Sequence, residues 1–163
     1  MDTKKIAKLS MLLSVSVVLG LIESFIPLFS SIPGIKLGLA NIVIIFAIYK
    51  LSIKDAIYIS ILRVILMGIL RTGLFSISFF FSLVGALFSI ITMYLVKKIK
   101  TLSIVGVSIS GAIAHSIGQI IVACILLSNI NMIYYLPILL ISSLITGIIV
   151  GTISNKLINY YDN

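Results

Sequence analysis

The chain alternates long apolar stretches with short clusters of lysine. These clusters contain Lys4, Lys5 and Lys8, then Lys50 and Lys54, then Lys97, Lys98 and Lys100, and finally Lys156. Each stretch between neighbouring clusters is long enough to cross a bilayer and return, because about 20 apolar residues span the hydrocarbon core. Since cytoplasmic loops concentrate Lys and Arg, the pattern predicts six membrane-spanning helices with both termini in the cytoplasm.

The six predicted spans differ in length. They are Ile6–Leu28, Leu37–Tyr49, Asp55–Leu70, Leu74–Val96, Ser103–Ser128 and Ile133–Asn155. The second span is short, because its thirteen residues rise only about 20 Å of a ~30 Å hydrocarbon core. An outer loop, Phe29–Lys36, precedes it, and Pro33-Gly34 is the turn signal there. Residues 1–163 are therefore expected to form a single all-α integral membrane domain, a bundle of six transmembrane helices.

Composition also favours a membrane protein. The chain is 61% hydrophobic and only 10% charged, whereas a soluble domain is about half apolar and about a quarter charged. The formal charge of +8 would suggest a nucleic-acid partner in a soluble protein. Here nine of the twelve basic residues lie on the predicted cytoplasmic side, which accounts for the charge, so no nucleic-acid partner is expected. We expect a multi-pass protein of the cytoplasmic (cell) membrane, surrounded by membrane lipid.

A few polar side chains lie within the predicted spans or at their outer ends. Because ionisable groups are costly in a membrane, such residues are candidates for function. The candidates in the outer half of the bundle are Glu23, Lys36, Asn41, Arg63, Arg71, His115 and Gln119. His115 and Gln119 are four residues apart and are expected to share one helix face. We predict that these residues line a polar cavity open to the outside and bind a small-molecule substrate. Three basic groups against one acid favour an anionic ligand.

Each candidate also has a structural interpretation. Glu23 and Arg63 would neutralise each other, and the two outer basic residues would extend to the membrane interface. The polar pair on span 5 would form hydrogen bonds between helices, and Asn41 would cap the short second helix. The depth that these residues share on several spans is the observation that favours a binding site.

Small residues on the first span predict a docking surface. Ser10 and Ser14 are four residues apart and share one face. Small side chains let another membrane helix approach closely. The face is therefore predicted to dock a partner membrane protein, and packing within the chain is the alternative.

The sequence lacks the residue sets of common catalytic sites. It has no GxxxxGK[ST] phosphate loop, so we expect no ATP hydrolysis by this chain. One His and one Cys do not make a zinc site. The acidic residues are Asp2, Glu23, Asp55 and Asp162. They provide no aspartate pair for the magnesium ions that prenyl-diphosphate chemistry requires. We expect no enzymatic activity, no catalytic residue, no metal and no cofactor.

Two segments carry a resemblance to a known family. They are Ile32–Asn41, with the sequence IPGIKLGLAN, and Gly111–Gln119, with the sequence GAIAHSIGQ. Through them the chain resembles the bacterial Gx transporters, also labelled heptaprenyl diphosphate synthase component I. That family is similar to the substrate-binding S components of energy-coupling factor (ECF) vitamin transporters. The resemblance implies a six-helix protein with its site at the Pro-Gly loop and the His/Gln face. It also implies two kinds of partner, a membrane coupling subunit and cytosolic ATPases.

The function predicted from the sequence is that of a substrate-binding subunit. It would take up a small, anionic, vitamin- or cofactor-like molecule, with the Phe29–Lys36 loop closing over the substrate. Two alternatives stay open. One is a membrane subunit in isoprenoid or quinone metabolism, as a prenyl diphosphate synthase component, and the other is a non-transporting scaffold of a membrane redox complex.

Overall fold

The computed structural model describes residues 3–26 and 36–163, and within these ranges it is helical without β-strands. Its helices are α1 (Thr3–Phe25), α2 (Ala40–Lys50), α3 (Ile53–Met67), α4 (Ile77–Lys97), α5 (Ile104–Leu126) and α6 (Leu136–Asp162). A π-helical turn, Gly68–Thr72, follows α3 directly, and a 3-10 helix, Ile130–Tyr135, precedes α6. Each predicted span therefore overlaps one of these α-helices, and the all-α fold class is confirmed.

Four of the described helical segments are long and apolar enough to cross a membrane. They are α1, α4, α5 and the continuous segment Ile130–Asp162. These segments support the predicted multi-pass membrane protein. With eleven residues in α2 and fifteen in α3, the two helices rise only about 16 Å and about 22 Å, less than the ~30 Å core. That α2 and α3 also cross the membrane stays a prediction.

Serine side chains cap the starts of α3, α4 and α5. Ser52, Ser76 and Ser103 each accept a hydrogen bond from the backbone N–H three residues later. Such a cap satisfies a donor that has no partner within the helix. The predicted starts of these spans lie within three residues of the observed helix starts, because the apolar stretches begin next to these capping residues.

The last helix is longer than its apolar stretch predicts. It continues to Asp162, past the predicted end at Asn155, because its final turns contact other helices. Lys50 of α2 forms an ion pair with Asp162. Lys8 of α1 donates a hydrogen bond to the Tyr161 hydroxyl at 3.2 Å. These polar contacts hold the end of α6 against α1 and α2.

The α2 helix forms the centre of the core. Every residue from Ile42 to Ile48 is buried, so the other helices surround this helix on all sides. By contrast, the buried residues of α1 are Ser16 and Val17. The short helix is therefore enclosed, while most of the first long helix faces outward.

Glycines bring α5 and α6 into close contact. A Cβ atom at Gly151 would lie 2.7 Å from the Cα of Val105, and one at Gly147 would lie 2.8 Å from the Cα of Ile109. The two glycines are four residues apart, a spacing that permits close approach of membrane helices. The backbones of α5 and α6 thus pack at distances that a larger side chain at either glycine would not allow.

Candidate functional site

A cavity of about 540 Å³ lies among the six helices, with Lys36 to Gly38 contributing to its wall. Six of the seven candidate site residues line it, namely Glu23, Lys36, Asn41, Arg63, Arg71 and His115. They come from α1, the segment before α2, α2 itself, α3, the π-helical turn and α5. The structure therefore brings together side chains that are far apart in the sequence. Their role in binding stays a prediction.

Glu23 connects the end of α1 to the start of α2. Its carboxylate accepts hydrogen bonds from the backbone N–H groups of Gly38 at 2.8 Å and Leu39 at 3.1 Å. The side chain of the N-cap residue of α2 forms no hydrogen bond with the backbone N–H groups at the start of the helix. A carboxylate is favourable near a helix N-terminus. The interpretation of Asn41 as the cap of α2 is therefore wrong, because Glu23 takes this role.

The basic residues of the cavity have different surroundings. Lys36 Nζ donates a hydrogen bond to Ser82 Oγ of α4 at 3.2 Å. The guanidinium of Arg71 lies over the Phe25 ring, 6.0 Å from its centroid. Within the described residues, the Arg63 guanidinium has no hydrogen-bond or ion-pair partner. Arg63 therefore lines the cavity without a hydrogen bond to a described residue.

The charges on the wall do not cancel. Glu23 interacts electrostatically with Arg63 and with Lys36, but the described residues contain no ion pair between Glu23 and either cation. Three cations against one carboxylate leave a net charge of two positive units on the wall. The described wall therefore carries a net positive charge, and the binding of an anionic ligand there stays a prediction.

Hydroxyl groups form much of the remaining polar wall. They belong to Ser24, Thr72, Ser78, Ser82, Ser89, Ser108, Ser116, Ser142, Ser143 and Thr146. Two of them, Ser116 and Ser143, share a hydrogen bond of 2.6 Å between α5 and α6. The Ser89 hydroxyl is buried without a hydrogen-bond partner in the described structure. Sequence reasoning missed these residues because it weighed only ionisable and amide groups. A signal was present on α5, where Ser108 lies seven residues before the candidate His115, a spacing that places both on one helix face.

His115 packs against a glycine of α4. A Cβ atom at Gly85 would lie only 2.8 Å from the His115 ring, so the glycine makes room for the imidazole. The Nδ1 atom is buried without a hydrogen-bond partner among the described residues. His115 thus brings an unsatisfied ring nitrogen to the region where α4, α5 and the cavity meet.

Gln119 lies apart from the other six candidates. It lines a smaller cavity of about 240 Å³, and no described residue belongs to both cavity walls. A separation of four residues advances about 6 Å along a helix and about 40° around it. This offset is enough to carry Gln119 onto a different cavity, contrary to the expectation that it faces the same one as His115.

The small residues of α1 face in two directions. Ser10 and Ser14 are exposed, and Ser14 Oγ donates to the Ser10 carbonyl at 2.9 Å. Ser16 is fully buried and donates to the carbonyl of Ala40 at 3.4 Å. The predicted docking surface is thus available on the outside of α1, and its partner stays a prediction.

Residues 29–35 of the predicted outer loop lie outside the described residues. This includes the Pro33-Gly34 turn and the predicted closure over a substrate. Lys36, at the end of that loop, is described and lines the large cavity.

Comparison with known proteins gives one result. Neither the curated proteins nor the solved structures contain a match to the chain. Residues 12–157 match the family described as heptaprenyl diphosphate synthase component I. This match covers both segments that carry the resemblance. Similarity to ECF S components is not confirmed and stays a prediction. The chain belongs to the heptaprenyl diphosphate synthase component I family.

Proposed function

We propose that the protein is a membrane subunit that binds a small anionic molecule in the large cavity and delivers it for uptake. The observation that carries this proposal is the convergence of Lys36, Arg63 and Arg71 on one cavity wall. A cavity of about 540 Å³ lies within the range of ~300–1,000 Å³ that is typical of small-molecule sites. Its size suits a vitamin- or cofactor-like ligand.

The charges on the cavity wall indicate which kind of ligand fits. A cation that is partly removed from water is stabilised by an ion pair and by hydrogen bonds. Glu23 interacts electrostatically with Arg63, but the Arg63 guanidinium forms neither an ion pair nor a hydrogen bond with a described residue. An anionic ligand would supply both at once. The hydroxyls on the wall, such as Ser89 and Ser116, would bind the polar groups on the rest of the ligand.

The membrane arrangement that fits this function has six crossings and cytoplasmic termini. The lysine clusters of the sequence support it. The cavity would then open outward, so that substrate enters from outside and residues 29–36 close over it. On the exposed side of α1, Ser10 and Ser14 would dock a membrane coupling subunit that works with cytosolic ATPases, as in ECF transporters.

Binding rather than catalysis is the proposed activity. The described wall of the cavity has one carboxylate, that of Glu23. This carboxylate already accepts hydrogen bonds from the backbone at the start of α2. A second acid is not part of that described wall, and the Nδ1 atom of His115 accepts no hydrogen bond from the serines there, whereas hydrolysis or group transfer would use an acid pair or a hydrogen-bonded nucleophile and base. We therefore assign the basic residues to ligand capture.

A second candidate function follows from the family description. That description suggests a membrane component related to heptaprenyl diphosphate synthase. A diphosphate group is anionic and would also suit Lys36, Arg63 and Arg71. In this case the chain would hold the diphosphate for a catalytic partner, and prenyl transfer would depend on the presence of this chain.

The test is to identify what the full-length protein retains. The protein is purified in lipid nanodiscs. It is then released from the nanodiscs in the mass spectrometer, and native mass spectrometry detects any molecule that stays bound. We expect a small anionic molecule on the wild-type chain and its loss from the Lys36→Gln/Arg63→Gln double variant. The matched control is Lys54→Gln/Lys100→Gln, which removes two exposed charges and should retain the molecule.

Three outcomes decide between the functions. A retained vitamin- or cofactor-like anion that depends on Lys36 and Arg63 supports the uptake subunit. Retention of a prenyl diphosphate, together with prenyl transfer in the presence of a soluble partner, supports the second candidate. Equal retention by the double variant and its control, or no anion on the wild type, contradicts an anion site in this cavity.

A further inference from the structure

The smaller cavity has an apolar wall with one buried amide. Its described lining is Phe81, Gln119, Ile120, Ala123, Leu127, Met132, Tyr135 and Leu139. Gln119 is only 3% exposed, and its Oε1 atom has no hydrogen-bond partner among the described residues. Because buried polar groups are normally hydrogen-bonded, this amide requires an explanation that packing alone does not give.

The cavity is large enough for an organic molecule. Its volume is about 240 Å³, whereas an apolar cavity of ~150 Å³ in another protein binds benzene. Water alone does not suit it well, because a buried water needs about three polar partners. The wall around Gln119 is mainly hydrocarbon, with the aromatic rings of Phe81 and Tyr135 at its sides.

The cavity has a closed end and an accessible end. Gln119, Ala123 and Leu139 are buried, whereas Leu127 and Tyr135 are exposed. Between Gln119 and Leu127 the helical rise amounts to about 12 Å. An apolar molecule can therefore enter between the end of α5 and the 3-10 helix and reach the amide.

We propose that this cavity binds an apolar alcohol, a compact hydrocarbon body with one hydroxyl group that pairs with Gln119. The hydrocarbon fits the apolar wall and leaves water. The hydroxyl both donates and accepts, so it satisfies either end of the amide. A hydrocarbon without the hydroxyl would fill the same space but leave the buried amide unpaired.

This site is independent of the proposed anion site. The two cavity walls share no described residue, and the smaller wall carries no charged side chain in the described part of the chain. Loss of anion binding in the Lys36→Gln/Arg63→Gln variant would therefore leave alcohol binding intact.

The test compares thymol, a phenol whose single hydroxyl stands in for that of the alcohol, with para-cymene, which has the same ten-carbon skeleton without the hydroxyl. Binding to the folded state raises the midpoint of thermal unfolding. We expect thymol to stabilise the full-length protein at a concentration about tenfold lower than para-cymene, the difference that one buried hydrogen bond provides. In Gln119→Leu, which keeps a side chain of similar size, the two compounds should act equally.

Two further variants locate the effect. Ala123→Phe fills the cavity, and Ile121→Phe adds the same ring at an exposed position of α5. Thymol should stabilise Ile121→Phe as it does the wild type and should lose its effect on Ala123→Phe. If Ala123→Phe does not fold, Gln119→Leu still decides the question. Equal effects of thymol and para-cymene on the wild type, or an unchanged thymol preference in Gln119→Leu, would overturn the proposal.

Discussion

The carboxylate of Glu23 accepts a hydrogen bond from the backbone N–H of Gly38 at 2.8 Å. A second bond, from the N–H of Leu39 at 3.1 Å, uses its other oxygen. Together they fix the end of α1 to the start of α2, across a segment of the chain that contains the predicted outer loop. Because α2 is the buried centre of the bundle, this junction contributes to stability as well as to the wall of the large cavity.

Glu23→Gln should lower the stability of the ligand-free protein. The neutral amide retains one acceptor and turns an N–H₂ donor toward a backbone donor, so one hydrogen bond is lost. We expect a loss of about 1.5–3 kcal/mol, the contribution of a hydrogen bond to a charged group. Thermal unfolding of ligand-free protein in detergent measures it. An unchanged midpoint would mean that the backbone of α2 starts equally well without the carboxylate.

Gly151→Ala should disrupt the contact between α5 and α6. The added Cβ would lie 2.7 Å from the Cα of Val105, and a backbone atom cannot move away as a flexible side chain can. Overpacking of this kind costs about 1–3 kcal/mol. The matched control is Gly106→Ala on α5, whose Cβ would meet nothing closer than 3.4 Å.

The control should be neutral or slightly stabilising, because alanine favours a helix over glycine by about 0.5–1 kcal/mol. Thermal unfolding of both variants in the same detergent gives the comparison. Equal midpoints for Gly151→Ala and Gly106→Ala would show that the two helices separate without cost.

Ser14→Leu should prevent association with a membrane coupling subunit. Close approach of two helices requires small side chains, and Ser14 is exposed on α1. Thr152→Leu is the control, because Thr152 is also exposed and also donates to the carbonyl four residues earlier. Co-purification with the coupling subunit measures the difference. If Ser14→Leu associates normally with the coupling subunit, this face of α1 is not part of the docking surface.

The predicted orientation is tested by single cysteines in a Cys124→Ser background. Asn131 lies in the 3-10 helix between α5 and α6, and Lys98 follows the end of α4. Both are exposed. A cysteine at Asn131 should react with a membrane-impermeant maleimide in intact cells, whereas one at Lys98 should react only after lysis. Labelling of Lys98→Cys in intact cells would contradict the proposed topology.

The sequence predicts the helices well because apolar stretches are local signals. Ser52, Ser76 and Ser103 mark helix starts that fall close to the predicted ones. The end of α6 is set by contacts of Tyr161 and Asp162 with other helices. Contacts of this kind depend on the tertiary fold, so hydropathy does not reveal them.

The candidate site was predictable to a similar degree. Ionisable groups at a common depth led to one cavity, because charged side chains in a membrane protein avoid lipid. The role of Glu23 at the start of α2 was missed, since a backbone partner leaves no mark in the sequence. The separation of Gln119 from His115 depends on which helices pack beside α5, which the spacing of four residues does not specify.

His115 and Gln119 should therefore differ in their effect on the anionic ligand. His115 lines the large cavity with a buried, unpaired Nδ1, and Gln119 lines the smaller one. His115→Ala should weaken retention of the anion by about 1–3 kcal/mol, the cost of a lost hydrogen bond in a buried site. Gln119→Ala should leave its affinity unchanged, although both variants remove a polar group from α5.

The two variants are compared with the wild type by native mass spectrometry at several concentrations of the retained molecule, after size-exclusion chromatography confirms a folded protein. The comparison separates two arrangements of the site. If the residues act as one face, as their spacing alone predicts, both substitutions weaken binding equally. If the cavities are separate, only His115→Ala does so. Equal losses in the two variants would contradict the assignment of Gln119 to a second cavity, because a residue that lines no part of the anion site has no contact through which to weaken it.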